Sequence, residues 1–468
     1  MSELSQWQWD SWVDRALSQL ASKRLLRSTR PISLSPTPDL DLDVQTFDRP
    51  GPWDRSSVQV ALDGPTFRQW LSDLPSESDA DSDSNSDTNW SSASAPPQKL
   101  LLFSGNDYLG LSSHPAVSQA ASKAAQAHGM GPRGSALISG YTNYHSLLEL
   151  SLAHLKQKDD CILCPTGFAA NMAFLTALAS IPSLLSPTPT PSAPHPIAIF
   201  SDQLNHASII DGIRLAERQS QAKLFIYRHS DMLHLHSLLS TCSITMKVVI
   251  TDSLFSMDGD FAPLTQLVEL RKKHGFLLAI DDAHATLVCG ENGGGAGEYF
   301  GCEKDIDICI GTLSKAVGCH GGFIATSKRW KSLIQSRGRS FIFSTTIPVP
   351  VVAASLAAIS VGRRERWRRR AIWRRVQDFY SLSGLPISSP IISIIVGTEE
   401  AALSASRHLL KSGFHVTAIR PPTVAPNSCR LRITLSAAHT VDDIQKLVAT
   451  LSPWITTLNS NLLEFSKL

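Results

Sequence analysis

The 468-residue sequence has almost no charge imbalance. Its 43 Lys and Arg against 41 Asp and Glu leave a net charge of +2, so no global field selects nucleic acid or an anionic membrane as a partner. Cysteine is sparse, with 8 in the whole chain, which does not suggest a disulfide framework. Cys161 and Cys164 form a lone C-x-x-C; a structural zinc needs four ligands, no second pair follows at suitable spacing, and the two read as cysteines of a buried strand. The longest apolar stretch beside a helix signal, Val349 to Val361, falls short of the roughly 20 residues that cross a bilayer. The opening MSELSQWQWDSWVDRAL lacks the charged start and apolar run of a secretory signal. No G-x-x-x-x-G-K-[ST] occurs, which excludes a nucleotide-hydrolysing P-loop. The expectation is a soluble intracellular protein with reduced thiols, no metal, and no nucleic-acid or membrane partner.

What is present is unevenly distributed. Residues Ser5 to Arg27 repeat apolar side chains (Trp9, Trp12, Val13, Ala16, Leu17, Leu20) at helical spacing. Prolines break the stretch from Pro31 to Pro65, predicting an extended arm. The tract 72–97 is rich in serine and acid and poor in core-forming residues, predicting a disordered insert. Asp79, Asp81, Asp83 and Asn85 mimic the start of a calcium loop, but Ser84 stands where glycine is required and Trp90 where glutamate closes the loop. A Pro/Ser-rich stretch from Pro182 to Pro196 predicts a surface loop. Between these inserts, strand-like runs at 197–201, 223–227, 247–251, 276–281 and 306–312 alternate with helix-like runs at 169–178, 208–220 and 264–274. That alternation predicts an α/β fold with a mostly parallel sheet covered on both faces. After Pro350 a long helix and short strands at 391–396 and 430–435 predict a smaller second domain. The expected boundaries are 1–103 for the N-terminal helix and arm, 104–348 for the large domain and 349–468 for the small one.

Some motifs lose their meaning in context. Gly129 to Gly134 spells G-x-G-x-x-G, yet a helix-like run precedes it and a proline sits inside it, so it does not predict dinucleotide binding. The basic run from Arg363 to Arg375 reads as a solvated helical face anchored by Trp367 and Trp373, lending positive potential near an anionic substrate. The last residues, Ser466-Lys467-Leu468, match an address read by the peroxisomal import receptor, with cytosol as the alternative.

The informative constellation lies between Thr166 and Lys315. Gly167 opens a helix, whose free N–H groups and dipole make a phosphate seat. Asn205-His206 follows a strand and places an imidazole on a loop. Asp281 ends an apolar strand, His284 follows three residues on, and Lys315 lies just past the end of the next strand. A strand-end carboxylate, a nearby histidine and a strand-end lysine suit pyridoxal 5'-phosphate (PLP) chemistry, in which the lysine links to the cofactor and the carboxylate keeps its pyridine nitrogen protonated.

At these residues the chain resembles the α-oxoamine synthases, PLP-dependent transferases of fold type I that condense an amino acid with an acyl-CoA. The resemblance is carried by GNDYLGL (105–111), SGYTNYH (139–145), TGFAAN (166–171), LNHASI (204–209), FSMDGD (255–260), DDAH (281–284) and TLSK (312–315), and it skips the two inserts. Within the family, FSMDGD with TAIRPPTV (417–424) is most similar to the biotin-pathway members, which join L-alanine to a pimeloyl thioester and release CO2 and CoA. The resemblance implies a mostly parallel central sheet with a smaller C-terminal α+β domain. It implies that Lys315 is the cofactor-linked lysine and the base for the α-proton, Asp281 the partner of the pyridine nitrogen, His284 the partner of the ring hydroxyl, and His206 the ring-stacking, substrate-steering group. Gly167, Phe168, Ser256 and Thr312 would complete the cofactor shell. Asn106 and Arg432 would meet the amino-acid carboxylate, Thr423 lies in the matching substrate loop, and Arg27 matches a contact to the acyl donor. The family also implies a homodimer, with Ser344-Thr345-Thr346 reaching the neighbouring subunit's phosphate. A sibling activity with glycine or serine, or a catalytically silent scaffold subunit, are the alternatives; such scaffolds lack the linking lysine, which is present here.

Overall fold

The structure, a computed structural model, describes residues 2–23, 25–26, 44–72, 74, 98–185, 196–219 and 222–465. Arg27, Ser466-Lys467-Leu468, the acidic insert except Ser72 and Leu74, and positions 186–195 of the second insert lie outside the described residues. Thirteen strands form among those described: β1 Gln59–Leu62, β2 Gln98–Leu102, β3 Asp160–Cys164, β4 Ile197–Asp202, β5 Ala222–Tyr227, β6 Met246–Asp252, β7 Leu277–Asp281, β8 Ile308–Thr312, β9 Gly322–Thr326, β10 Ile391–Gly397, β11 Phe414–His415, β12 Thr417–Ile419 and β13 Cys429–Thr434. The chain divides into two compact units, one of residues 1–46, 114–255 and 261–366, the other of residues 47–113, 256–260 and 367–468.

The first unit is built on a seven-stranded sheet in the order β3-β9-β8-β7-β6-β4-β5. The five strands β8, β7, β6, β4 and β5 run parallel, and β9 is antiparallel to both its neighbours. Strands β4, β7, β8 and β9 are buried along their whole length, as a sheet covered on both faces requires. The five strands expected from apolar alternation are all present within two residues of their expected ends. The lone C-x-x-C lies in β3 with both thiols buried and unpaired. The helices Gly167–Ala179, Ala207–Gln219 and Leu264–His274 match their expected positions; the last ends where Gly275 takes φ +66° after a basic final turn. The first helix runs from Ser2 to Ser22 and stops short of Arg27. It buries Trp9, Val13, Ala16 and Leu20 in the same core as Phe174 and Trp330. Among the described residues one helical run, 167–185, is long and apolar enough to cross a membrane. It exceeds Val349–Val361, and its apolarity is explained by burial in this core. Its end also claims the first residues of the expected Pro/Ser loop, since Ile181–Leu185 is helical.

The second unit holds two three-stranded sheets, β10-β13-β12 and β1-β2-β11. The helices Glu399–Lys411 and Val441–Phe465 cover the first with Ala405, Leu409, Ile444 and Leu447. This division replaces the three contiguous domains expected at 1–103, 104–348 and 349–468. Long-range pairing is the reason: β2 runs parallel to β11 through Leu101 and Phe414, and Arg55 grips Asp443 with two hydrogen bonds. Such pairings are invisible to a local reading. They also fold part of the expected extended arm, because Pro52–Ser57 is a 3-10 turn and β1 follows it. The basic run is likewise not a uniformly solvated face. Arg368 is 1% exposed, its Nη1 bonded to Asp54 Oδ1 at 2.6 Å and to the carbonyl of Leu109 at 2.8 Å. Trp367 does anchor the helix, donating from Nε1 to the carbonyl of Phe47 at 2.7 Å.

Each unit buries a neutral histidine as a hydrogen-bonding brace. In the first, His145 Nε2 donates to the carbonyl of Ile347 at 2.8 Å while Nδ1 accepts from the Thr142 N–H. In the second, His439 Nε2 donates to the carbonyl of Leu102 at 3.1 Å while Nδ1 accepts from the Ser436 N–H. Burial lowers both imidazoles to about 4. The unfolded chain titrates near 6.5, so between those values it binds more protons than the folded one, and stability falls as pH drops from about 6.5 towards 4. Urea midpoints measured across this window are expected to fall with pH, and less steeply in His145→Gln and in His439→Gln than in the parent; an unchanged slope in both variants would refute the assignment.

Candidate active site

Parallel register sets the site. On β6 and β7, Asp252 lies opposite Asp281, and on β7 and β8, Asp281 lies opposite Ile310. Three strands therefore end side by side, and their carboxyl ends are where an open α/β sheet gathers its ligands. Asp281 is 8% exposed. Its Oδ2 accepts from Asn171 Nδ2 at 2.6 Å and its Oδ1 from the Ala283 N–H at 3.0 Å. Lys315, three residues beyond β8, brings Nζ to 2.8 Å from His284 Nε2. Thr312, the last residue of β8, holds Ser314 through its hydroxyl at 2.8 Å.

The helix Gly167–Ala179 points its N-terminus at this edge. Thr166 caps it, its side chain accepting from the Ala169 N–H at 3.0 Å. The N–H groups of Gly167 and Phe168 lie in the first turn, where no intrahelical acceptor exists. A Cβ built on Gly167 would stand 3.1 Å from Thr312 Cβ, so glycine keeps the helix end open against the strand end. Asn171 lies one turn further along, where it reaches Asp281.

Asn205 explains why LNHASI follows β4. Its Nδ2 donates to the carbonyl of Ile250 and its Oδ1 accepts from the Asp252 N–H, each at 2.9 Å. The side-chain amide thus imitates a peptide group and stitches the turn to β6. His206 comes next, its N–H donating to Asp252 Oδ2 at 3.2 Å. Burial lowers the His206 imidazole; burial, then the charge of Asp281, pushes the Asp252 carboxyl well above the usual range. Asp252, Asn171 and Ser208 do not stand out in the sequence. A strand-end aspartate and polar residues inside quoted motifs were the available signals.

The expected residues divide between the two units. Gly167, Phe168, His206, Asp281, His284, Thr312 and Lys315 all belong to the first unit. Ser256 belongs to the second, where its carbonyl accepts from Arg432 Nε. Arg432 also donates to Asn106 Oδ1 and to Thr434 Oγ1, each at 3.1 Å. Arg432 is 6% exposed, and its guanidinium fork suits a carboxylate. Thr423 is exposed in a turn closed by its N–H on the carbonyl of Arg420. Arg27 is outside the described residues. In the first unit, Thr346 donates to the Gly134 carbonyl at 3.2 Å and Thr345 bridges Ser135, so the Ser344–Thr346 segment packs on the glycine-rich loop. Gly129 ends the helix Pro115–His128, the reverse of a dinucleotide fingerprint. Among the described residues no group of His, Cys, Asp and Glu could hold a metal.

These groups fit PLP. A helix N-terminus kept open by glycine suits its phosphate, a buried carboxylate oriented by two donors suits its pyridine nitrogen, and a strand-end lysine suits its aldehyde. The comparisons agree. Residues 98–451 match the family Aminotransferase class I and II, and the chain belongs to that family, in its α-oxoamine synthase branch. It is 60% identical to the 8-amino-7-oxononanoate synthase of Arabidopsis thaliana, over 95% of each chain. It is 38% identical to the enzyme of that name from Geobacter sulfurreducens, over 76% of this chain and 89% of the other. Among solved structures, a serine palmitoyltransferase from S. paucimobilis with bound PLP–myriocin aldimine superposes with a TM-score of 0.69 at 26% identity, over 78% of this chain and 89% of that one. The 8-amino-7-oxononanoate synthase from Francisella tularensis gives 0.63 at 25% identity, over 78% and 99%. The fold is that of the type I PLP-dependent transferases, and the cofactor is PLP.

Behind Asp281 its neighbour does structural work. Asp282 Oδ2 pairs with Lys156 Nζ at 2.5 Å, both side chains at most 2% exposed. Lys156 also donates to Thr286 Oγ1 and to the Gly294 carbonyl, each at 2.8 Å. Asp282 Oδ1 accepts from Ser253 Oγ at 2.6 Å and the Ala296 N–H at 3.1 Å. The pair thus ties the loop carrying His284 to the sheet. Removing one partner leaves a buried charge, at a cost of about 3–5 kcal/mol. Lys156→Met is expected to lose that much in urea unfolding, and Lys156→Met/Asp282→Asn to recover part of it; a Lys156→Met variant as stable as the parent would contradict the pairing.

Proposed function

We propose that this chain condenses L-alanine with pimeloyl-CoA, releasing CO2 and CoA and giving 8-amino-7-oxononanoate for biotin biosynthesis. The observation that carries the reading is the 60% identity, across 95% of both chains, to a relative bearing that name. The intact lysine, aspartate and histidine of the first unit support it as an enzyme rather than a scaffold.

When bound, PLP supplies an electron-withdrawing ring that stabilises negative charge on the α-carbon of the amino acid. The chain's residues provide the rest. The first turn of the helix Gly167–Ala179 would hold the phosphate through backbone N–H groups, and Phe168 would supply a phosphate or ring contact. Asp281, oriented by Asn171 and the Ala283 N–H, keeps the pyridine nitrogen protonated, because a buried carboxylate favours a charged partner. Lys315 removes the α-proton as general base, with His284 within hydrogen-bond reach of its amine. His206 steers the substrate. In the second unit, Arg432 and Asn106 form a guanidinium–amide pair suited to a carboxylate. Ser256, Thr312, Thr423 and Arg27 keep the roles that the family resemblance implies.

An activity grid of alanine, glycine and serine against pimeloyl-CoA, a pimeloyl carrier-protein thioester and a long-chain acyl-CoA tests the substrates. Alanine with a pimeloyl thioester is expected to dominate; preference for serine with the long chain would overturn the reading. Lys315→Ala is expected to lower turnover by at least the roughly 10²–10⁴-fold that a general base contributes.

Two further properties are part of this proposal. A homodimer is supported by the family, in which Ser344–Thr346 resembles the segment that reaches the neighbouring subunit's phosphate, and a monomeric mass in light scattering of the active protein would contradict it. A peroxisomal location is supported by Ser466-Lys467-Leu468. An N-terminally tagged chain is expected in peroxisomes and the same chain without 466–468 in the cytosol; identical distributions would end that idea.

A further inference from the structure

His206 stands immediately before the helix Ala207–Gln219, and its ring acts on that helix as a cap. Nδ1 accepts from the backbone N–H of Ser208 at 3.2 Å. The hydroxyl of the same Ser208 lies 2.7 Å from Nδ1. That hydroxyl in turn accepts from Asn171 Nδ2 at 2.9 Å, and Asn171 Nδ2 also donates to Asp281 Oδ2 at 2.6 Å. The direction of every bond in this chain follows from its ends. A carboxylate can only accept, so Asn171 presents its NH2 group to Asp281. The second hydrogen of that group goes to Ser208 Oγ, leaving the serine's own hydrogen for Nδ1. The backbone N–H of Ser208 can only donate. A proton on Nδ1 would face it head-on.

We infer that His206 is held as the neutral tautomer protonated at Nε2, and that Ser208 and Asn171 are positioning residues which transmit this choice from the Asp281 carboxylate. Two donors converge on Nδ1, so protonating that nitrogen breaks both contacts or swings the ring away. The N-terminus of a helix disfavours a cation on the residue that caps it. Burial of the ring acts the same way. Opposing these are the carboxylates that face it, Asp281 from β7, Asp252 from β6 and Asp211 from its own helix, while Lys315, beyond β8, adds a cation. From the helix Gly167–Ala179 the facing group is Asn171, an uncharged amide. The ring therefore offers a donor at Nε2 to whatever lies at the strand ends, and its orientation is linked to that of Asp281 by three consecutive hydrogen bonds. In functional terms, the group that steers substrate and the group that tunes the cofactor are set by one polar chain.

The inference rests on the reading of this edge as the reacting centre, and a test that uses neither cofactor nor substrate separates the two. Nitrogen-detected NMR of the cofactor-free full-length protein with labelled histidine, assigned by comparison with His206→Gln, reports which ring nitrogen carries the proton. Between about pH 5 and 8, the range of an ordinary histidine, His206 is expected to keep an unprotonated Nδ1 and a protonated Nε2. Ser208→Ala and Asn171→Leu are expected to raise its titration midpoint by roughly one pH unit, the equivalent of one ordinary hydrogen bond, and to admit the Nδ1-protonated form. Ser208→Thr, which keeps the hydroxyl, is expected to restore the parent midpoint. An Nδ1 proton or an imidazolium in the parent near neutral pH would overturn the inference without touching the substrate assignment. So would variants that fold with the parent's histidine spectrum.

Discussion

The hydrogen bond from Asn171 to Asp281 is the fixed point of this molecule's chemistry. It joins the helix that follows β3 to the end of β7, and so ties a helix N-terminus to a buried strand-end carboxylate. The parallel register of β6, β7 and β8 makes the bond possible, because it brings their last residues to one line. Burying a carboxylate is costly unless its lone pairs are used, and here two donors use them. The same carboxylate then remains available to hold a positive charge beside it.

Around that point, polar groups are buried in linked sets rather than singly. Asn205 replaces a missing peptide contact between the β4 turn and β6. Lys156 and Asp282 hold the loop that carries His284. Each set is satisfied on nearly all sides, which lets a polar edge persist inside an otherwise apolar unit. The arrangement supplies rigidity where positions must hold to fractions of an ångström, and the apolar packing of Phe174, Trp330 and the first helix lies behind it.

Much of this was legible in the chain. The strand ends at 202, 252, 281 and 312 follow to within one residue from short apolar runs broken by polar residues, and Asp281, His284, Lys315, Gly167 and His206 stand out because their residue types fit one chemistry in one order. The pieces that escaped were set by distance in sequence. Nothing local says that β2 pairs with β11, that Arg368 meets Asp54, or that residues 47–113 belong with the C-terminal strands. Asn171, Ser208 and Asp252 escaped for another reason. Inside a motif, a small polar residue looks like any helix or turn residue until its partner is placed. The basic run misled because charge suggests solvent, whereas Arg368 is an interior strut.

The most direct test of the whole account is chemical. Borohydride reduction of the PLP-loaded chain, followed by peptide mapping, is predicted to place a pyridoxyl group on Lys315 and on no other amine. A label on a different lysine, or no label at all in a protein that turns over substrate, would contradict it.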